Sequence, residues 1–294
     1  MAESRLLIVV ATAAVLLSLA ASPLGVSYLG NFLPLGSLQS GAKVVTEYVP
    51  SGLAASILPT LAPQPHSYRT EIVSADLLVI YLHDFIAPNE VPLLLNTAEP
   101  LFRDSLVTGN DGQIRISRRR TSQTAILPIH DPVVERVLDR ATEVMGGMLA
   151  VPFDDFQPPQ LARYTAGQYF DVHADWFDIP QARRADSTGG GSSWNRQSSF
   201  FAILEDDCTG GETWFPHLKS PRHAEKLSSA RNWTRVWREH ENGGLAFKPV
   251  RGGALFWVNL FANGTGDDRT RHAGLPVESG LKTGMNIWPR VYYP

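Results

Sequence analysis

Three side chains in two distant stretches carry the chemistry that this sequence can perform. In Leu161–Phe177, LARYTAGQYFDVHADWF, the pair His173-x-Asp175 sets an imidazole two residues ahead of a carboxylate. Side chains of an extended segment alternate faces, so Asp171, His173 and Asp175 are expected on one wall and Phe170, Val172, Ala174 and Trp176 on the other. An imidazole and an aspartate supply two of the three ligands of a 2-His-1-carboxylate facial site, which leaves positions open on a non-haem Fe(II). The second imidazole is His272, 99 residues on, followed ten residues later by Lys282. Zinc or iron–sulfur thiolate clusters are excluded, because Cys208 is the single cysteine.

The elements needed to position these groups can be read around them. Lys282, Gly284, Asn286 and Trp288 share a face of the last strand pattern, and a lysine turned inward there needs an anion. His130-Asp131-Pro132 opens a helix with Asp131 as cap and Pro132 in the first turn, and Gly146-Gly147 is expected to end it. Its apolar positions Val133, Val134, Val137, Leu138, Ala141, Val144, Met145 and Met148 keep a helical period suited to packing on a sheet. Glu71–Phe85 reads as a strand feeding a helix over Asn89–Leu101. Ser198–Leu204 and Glu212–Pro216 read as a hairpin closed by DDCTGG, and Ala254–Val258 as a buried strand. The glycine-rich Asp178–Arg196 is expected to be a loop beside the metal pair, as a lid or an ordinary long connection. Arg118-Arg119-Arg120 reads as a solvated edge. His217, His223 and His240 lack ligand spacing and are expected at the surface.

Composition sets the outer bounds. With 294 residues and 44% hydrophobic content the chain can bury a sizeable core, and its formal net charge of −3 offers no basic field for a nucleic-acid backbone. Residues 1–33 read as a signal peptide or signal anchor: Arg5 precedes an apolar run from Leu6 to Ala21, shorter than the roughly 20 residues that span a bilayer. Residues 34–69 read as a linker and 70–294 as one catalytic domain. Asn232-Trp233-Thr234 and Asn263-Gly264-Thr265 are glycosylation sequons, consistent with the secretory pathway, most simply the endoplasmic reticulum, with membrane attachment through the N-terminus an option.

The stretches RYTAGQYFDVHAD, GGETWFP, KPVRGGALFW and HAGLPVESGLKTGMNIW, in this order, resemble the catalytic domain of the prolyl 4-hydroxylase alpha subunits over roughly residues 70–294. That resemblance implies an α+β fold dominated by a double-stranded β-helix, or jelly roll, with supporting N-terminal helices. Only such a closed β architecture would bring His173, Asp175 and His272 onto one Fe(II). It implies Lys282 on the distal carboxylate of 2-oxoglutarate, with Tyr164 beside it and Thr213 and Trp288 lining the cosubstrate pocket. Arg120-Thr121-Ser122 matches a short motif of the same family, which implies that the segment flanks the substrate groove. The implied reaction is hydroxylation of an unactivated C–H bond, 4-hydroxylation of peptidyl proline first, with O2 as cosubstrate, succinate and CO2 released, and L-ascorbate as the reductant that rescues oxidised iron. The alternatives are a dioxygenase acting on another peptide side chain or a small molecule, and a non-catalytic jelly-roll binding module. Without a separate peptide-binding domain or disulfide pairs, long collagen is not the expected substrate.

Overall fold

An uninterrupted apolar run such as Ser198–Leu204, SSFFAIL, can be stable as a strand only if both of its faces are covered. The computed structural model, which describes residues 66–108, 114–116, 120–182, 193–220 and 236–293, supplies both covers. Phe200, Ala202 and Leu204 join a cluster with Val91 and Leu94 of one helix and Val134 and Val137 of another. Phe201 and Ile203 join a second cluster with Phe215, Leu245 and Phe247 of a facing sheet. Parity along one strand therefore separates a helix-backed layer from the inter-sheet layer that holds the site.

The larger sheet has eight strands, in spatial order Arg69–Ser74, Val79–His83, Ala254–Val258, Ser198–Gly210, Val277–Ile287, Gln160–Thr165, Gln123–Ile126 and Arg103–Asp104. The facing sheet has five: Trp237–Glu239, Leu245–Phe247, Thr213–Phe215, His272–Gly274 and Phe170–His173. Pairing is antiparallel in both. Consecutive strands switch sheets at residues 166–169, 211–212 and 275–276, which is the jelly-roll connectivity the sequence implied.

Both helices cover the outer face of the larger sheet. Helix Pro132–Glu143 begins as its residues dictate: Asp131 is extended, and its Oδ1 accepts from the Val133 amide at 2.9 Å. Thr97 of helix Glu90–Ala98 donates to the other oxygen at 3.2 Å, so the cap also ties the two helices. Asp131→Ala should lower stability by about 1 kcal/mol, seen as a lower denaturant midpoint at unchanged slope. A buried ion pair, Arg140 to Glu90 at 2.7 Å, joins the same helices.

Three expectations need correction. Glu71–Phe85 is two strands, Arg69–Ser74 and Val79–His83, because residues 75–78 turn the chain into a hairpin. The helix starting at Pro132 does not stop at Gly146-Gly147. Val144 and Met145 are fully buried, the chain continues as a π-helix to Leu149, and the left-handed reversal falls at Ala150, φ 48°. DDCTGG closes no hairpin, since the strand runs on to Gly210 and pairs with Val277–Ile287, while Thr213–Phe215 belongs to the other sheet. The signal or anchor segment, nearly all of the linker, Arg118, Arg119, His223, the Asn232 sequon and residues 183–192 of the glycine-rich loop lie outside the described residues. That loop's flanks, Gln181–Ala182 and Ser193–Arg196, pair with each other.

Candidate active site

The long sequence gap between the two histidines closes through register. His173 ends strand Phe170–His173, His272 begins strand His272–Gly274, and the two residues are directly paired. Cross-strand partners hold their Cβ atoms about 5 Å apart, and here the imidazole centroids stand 4.3 Å apart. Asp175 lies two residues past the strand end, so alternation no longer governs its direction. The same shortness defeats the two-wall expectation: Phe170 stacks on His173, with centroids 3.6 Å apart, and Asp171 is exposed.

Backbone carbonyls fix the tautomers. Nδ1–H of His173 donates to Asp171 O at 2.8 Å and Nδ1–H of His272 donates to Thr270 O at 3.0 Å, so each Nε2 keeps its lone pair for the site. His173 Nε2 is 3.8 Å from Asp175 Oδ1, and His272 Nε2 is 4.0 Å from Asp175 Oδ2. One ligand atom from each of the three residues lies within 4.8 Å of the others. Burial, followed by the neighbouring His272, pushes the His173 imidazole down to about 3, so the ring is neutral at pH 7. Desolvation pushes the Asp175 carboxyl up, but the two imidazoles, Arg196 and the Ser199 hydroxyl outweigh it and hold the group below its usual value. Neutral imidazoles and an ionised carboxylate are the donor set that fits Fe(II).

Asp175 is held by two donors on one oxygen. Ser199 Oγ donates to Oδ2 at 2.6 Å and Trp288 Nε1 at 3.0 Å, while Asn259 Nδ2 donates in turn to Ser199 Oγ at 2.9 Å. Ser199 and Asn259 are fully buried. Oδ1 is left for a metal. Sequence reasoning placed Trp288 at the cosubstrate. Its ring does line the cavity, but its N–H is engaged by Asp175 and Arg196 stacks on it at 3.6 Å.

One cavity contains His173, Asp175, His272, Lys282, Tyr164, Thr213 and Trp288 in its lining. Lys282 is 2% exposed, and its Nζ donates to Gly211 O at 2.6 Å with the Phe201 and Tyr164 rings 5.0 and 5.5 Å away. It forms no ion pair among the described residues. Burial pulls its pKa down to about 8, with Cys208 and Glu212 opposing. The hydroxyls of Tyr164 and Thr213, both buried, make no hydrogen bond among the described residues. An ammonium and two unengaged hydroxyls converge where an anion would satisfy all three.

Sequence reasoning misjudged Arg120. It is buried, not on a solvated edge, and lines the same cavity against Phe170. The RTS motif was the available signal. Of the remaining histidines, His217 is exposed and His240 stacks on Trp214.

Residues 159–290 match the 2OG-Fe(II) oxygenase superfamily. Prolyl 4-hydroxylase subunit alpha-1 of Rattus norvegicus is 30% identical over 214 residues, which are 71% of this chain and 34% of that protein. Subunit alpha-3 of the same organism is 27% identical over 271 residues, 90% of this chain and 42% of that protein. The chain thus spans well under half the length of these curated relatives. The viral collagen prolyl hydroxylase of Paramecium bursaria Chlorella virus-1, solved as its 2OG complex, shares the fold at 23% identity and a TM-score of 0.50, over 72% of this chain and 96% of that one. Residues 159–290 are thus matched by the 2OG-Fe(II) oxygenase superfamily, and over 71% of its length the chain is similar to a prolyl 4-hydroxylase alpha subunit.

Proposed function

We propose that the protein is an Fe(II)- and 2-oxoglutarate-dependent dioxygenase that 4-hydroxylates peptidyl proline. The observation that carries this reading is the pairing, in one cavity, of a His-Asp-His cluster with a buried ammonium that has no anionic partner among the described residues. His173, Asp175 and His272 would hold Fe(II), which with O2 and 2-oxoglutarate supplies the oxidising power to hydroxylate an unactivated C–H bond as succinate and CO2 leave. Lys282, with the Tyr164 and Thr213 hydroxyls, holds the distal carboxylate of the cosubstrate and so sets its angle. Phe215 and Trp257 pack against His272, with centroids 5.2 and 4.8 Å away, and keep bulk water from that side. Ser199 and Trp288 restrict Asp175 to one free oxygen. L-ascorbate is the expected reductant for iron oxidised without product.

The 2-oxoglutarate-fuelled release of succinate with a panel of proline-containing peptides tests this, read together with the gain of one oxygen at proline. Coupled turnover confined to other acceptors would select a relative acting on another side chain or a small molecule. Metal-independent behaviour would remove the oxygenase reading altogether. Ser199→Ala should weaken metal binding about 10- to 100-fold, as measured by Mn(II) titration, because it strips one of two donors from Asp175 and strands the Asn259 amide. A secretory-pathway location, most simply the endoplasmic reticulum and with the N-terminus as a membrane anchor, is supported by the apolar run Leu6–Ala21 and by the exposed Asn263 sequon. Among the described residues no helix is long and apolar enough to cross a membrane. A glycosidase-sensitive mass on the protein from eukaryotic cells would bear on this location.

A further inference from the structure

We propose that Arg120 binds a carboxylate carried by the acceptor, so that the molecule hydroxylated is an acidic peptide with the acid close to the target carbon. This deepens the dioxygenase reading and rests on it. Arg120 is 9% exposed, yet among the described residues its guanidinium hydrogen-bonds only neutral groups: Nε donates to Ser122 Oγ and one terminal nitrogen to Gln160 Oε1, both at 3.1 Å. Among the described residues the other terminal nitrogen makes no hydrogen bond and no carboxylate pairs with the group. Arg140 shows what a buried arginine does here when it serves the fold, since its guanidinium meets Glu90 at 2.7 Å. A guanidinium has five N–H donors, and leaving a buried one without an anion is costly unless a ligand completes it.

Placement and charge point the same way. Arg120 is pinned by a backbone bridge to Phe170, with its guanidinium carbon 5.0 Å from the centre of the ring that stacks on His173. It therefore lines the cavity on the His173 side, the more open one, since the His173 side chain is 20% exposed and that of His272 8%. Within that cavity a doubly charged metal and Lys282 are matched by Asp175 and the two carboxylates of 2-oxoglutarate, three charges against three. Arg120 is the charge left over. Arg196 does not change this count of lining groups, because it stacks on Trp288 and bonds Gln157 and the carbonyl of Asp175. An acidic side chain next to the target and a free C-terminal carboxylate would both satisfy Arg120, with the same chemistry.

The test uses the full chain loaded with Mn(II) and 2-oxoglutarate under argon, so that binding is read without turnover. Calorimetry compares proline peptides that differ by Glu or Gln before the proline, by Glu or Gln after it, or by a free or amidated C-terminus. At least one acid should bind about 10-fold tighter than its uncharged partner, and which pair shows the difference identifies the source of the carboxylate. Arg120→Gln should erase that difference while changing the affinity of the uncharged peptide by no more than about twofold, and Arg120→Lys should keep part of it. A purely structural role for Arg120 would not move the acid-to-neutral ratio. Should the glutamine variant fail to fold, the wild-type ratios and the lysine variant decide. Equal binding within every pair, a preference that survives Arg120→Gln, or a tenfold loss of 2-oxoglutarate affinity in that variant without peptide would each overturn the proposal. Hydroxylation of proline at one KM in acid and neutral peptides would leave the prolyl reading standing and remove this one; acid preference confined to acceptors lacking proline would do the reverse.

Discussion

Replacing Lys282 with alanine should raise the dissociation constant for 2-oxoglutarate on the order of 1000-fold, because it removes the partner of a desolvated charge pair worth several kcal/mol. The side chain is 2% exposed, and among the described residues its Nζ has one acceptor, the Gly211 carbonyl, beside the Tyr164 and Phe201 rings, whereas the other cation of the lining, Arg120, packs on Phe170. Calorimetry on the Mn(II)-loaded protein separates this loss from any effect on turnover. Metal affinity in the absence of cosubstrate should stay near the wild-type value. The same lysine predicts a pH dependence. Burial depresses its pKa to about 8, so the ammonium that binds the anion dominates below that value and is lost above it. Cosubstrate affinity in the wild type should therefore be flat through pH 7 and fall about tenfold per unit well above pH 8, with proton uptake on binding in that range. A flat profile to pH 10 would show that Lys282 is not the anchor.

How much of this was legible depends on the range over which each physical rule acts. His173-x-Asp175 could be read from two neighbouring residues, and the Asp131-Pro132 cap from three, because strand alternation and helix capping are local rules. His272 could not be placed that way. Its meeting with His173 rests on direct pairing of two short strands 99 residues apart, and register carries no local signature, so family resemblance had to nominate it. The DDCTGG segment misled for a related reason. Glycine pairs mark a change of direction, but they do not say whether the chain folds back on its own sheet or crosses to the facing one, as it does between Gly210 and Thr213. Arg120 was misjudged because a run of three arginines is ordinarily solvated, and only the bridge to Phe170 reveals that the third turns inward. The indole N–H of Trp288 was legible as a pocket group but not as a brace for Asp175, since that depends on a contact across 113 residues.

Asp175→Asn should abolish high-affinity metal binding, with a loss on the order of 1000-fold or more, although the substitution changes no volume. The argument is one of donors and acceptors. Oδ2 receives two hydrogen bonds, from Ser199 and from Trp288, and an amide can accept both only through its oxygen. Its NH2 then occupies the position of Oδ1 and faces His173 Nε2, a donor where a metal needs a lone pair. Turned the other way, the NH2 would meet the indole N–H of Trp288, a buried group that can only donate, and would take from the Ser199 hydroxyl its acceptor, in a carboxylate site only 4% exposed. Either orientation leaves the two imidazoles without the charge that completes a 2-His-1-carboxylate set. Mn(II) titration and the metal content of the purified variant measure the loss, and the thermal unfolding midpoint of the metal-free protein checks that the fold persists. Adding Ser199→Ala to Asp175→Asn should cost little further metal affinity, because the hydroxyl acts on the metal only through the carboxylate it orients. A full additional 10-fold loss in the double variant would mean that Ser199 acts by another route and that the brace on Oδ2 is not what shapes the site.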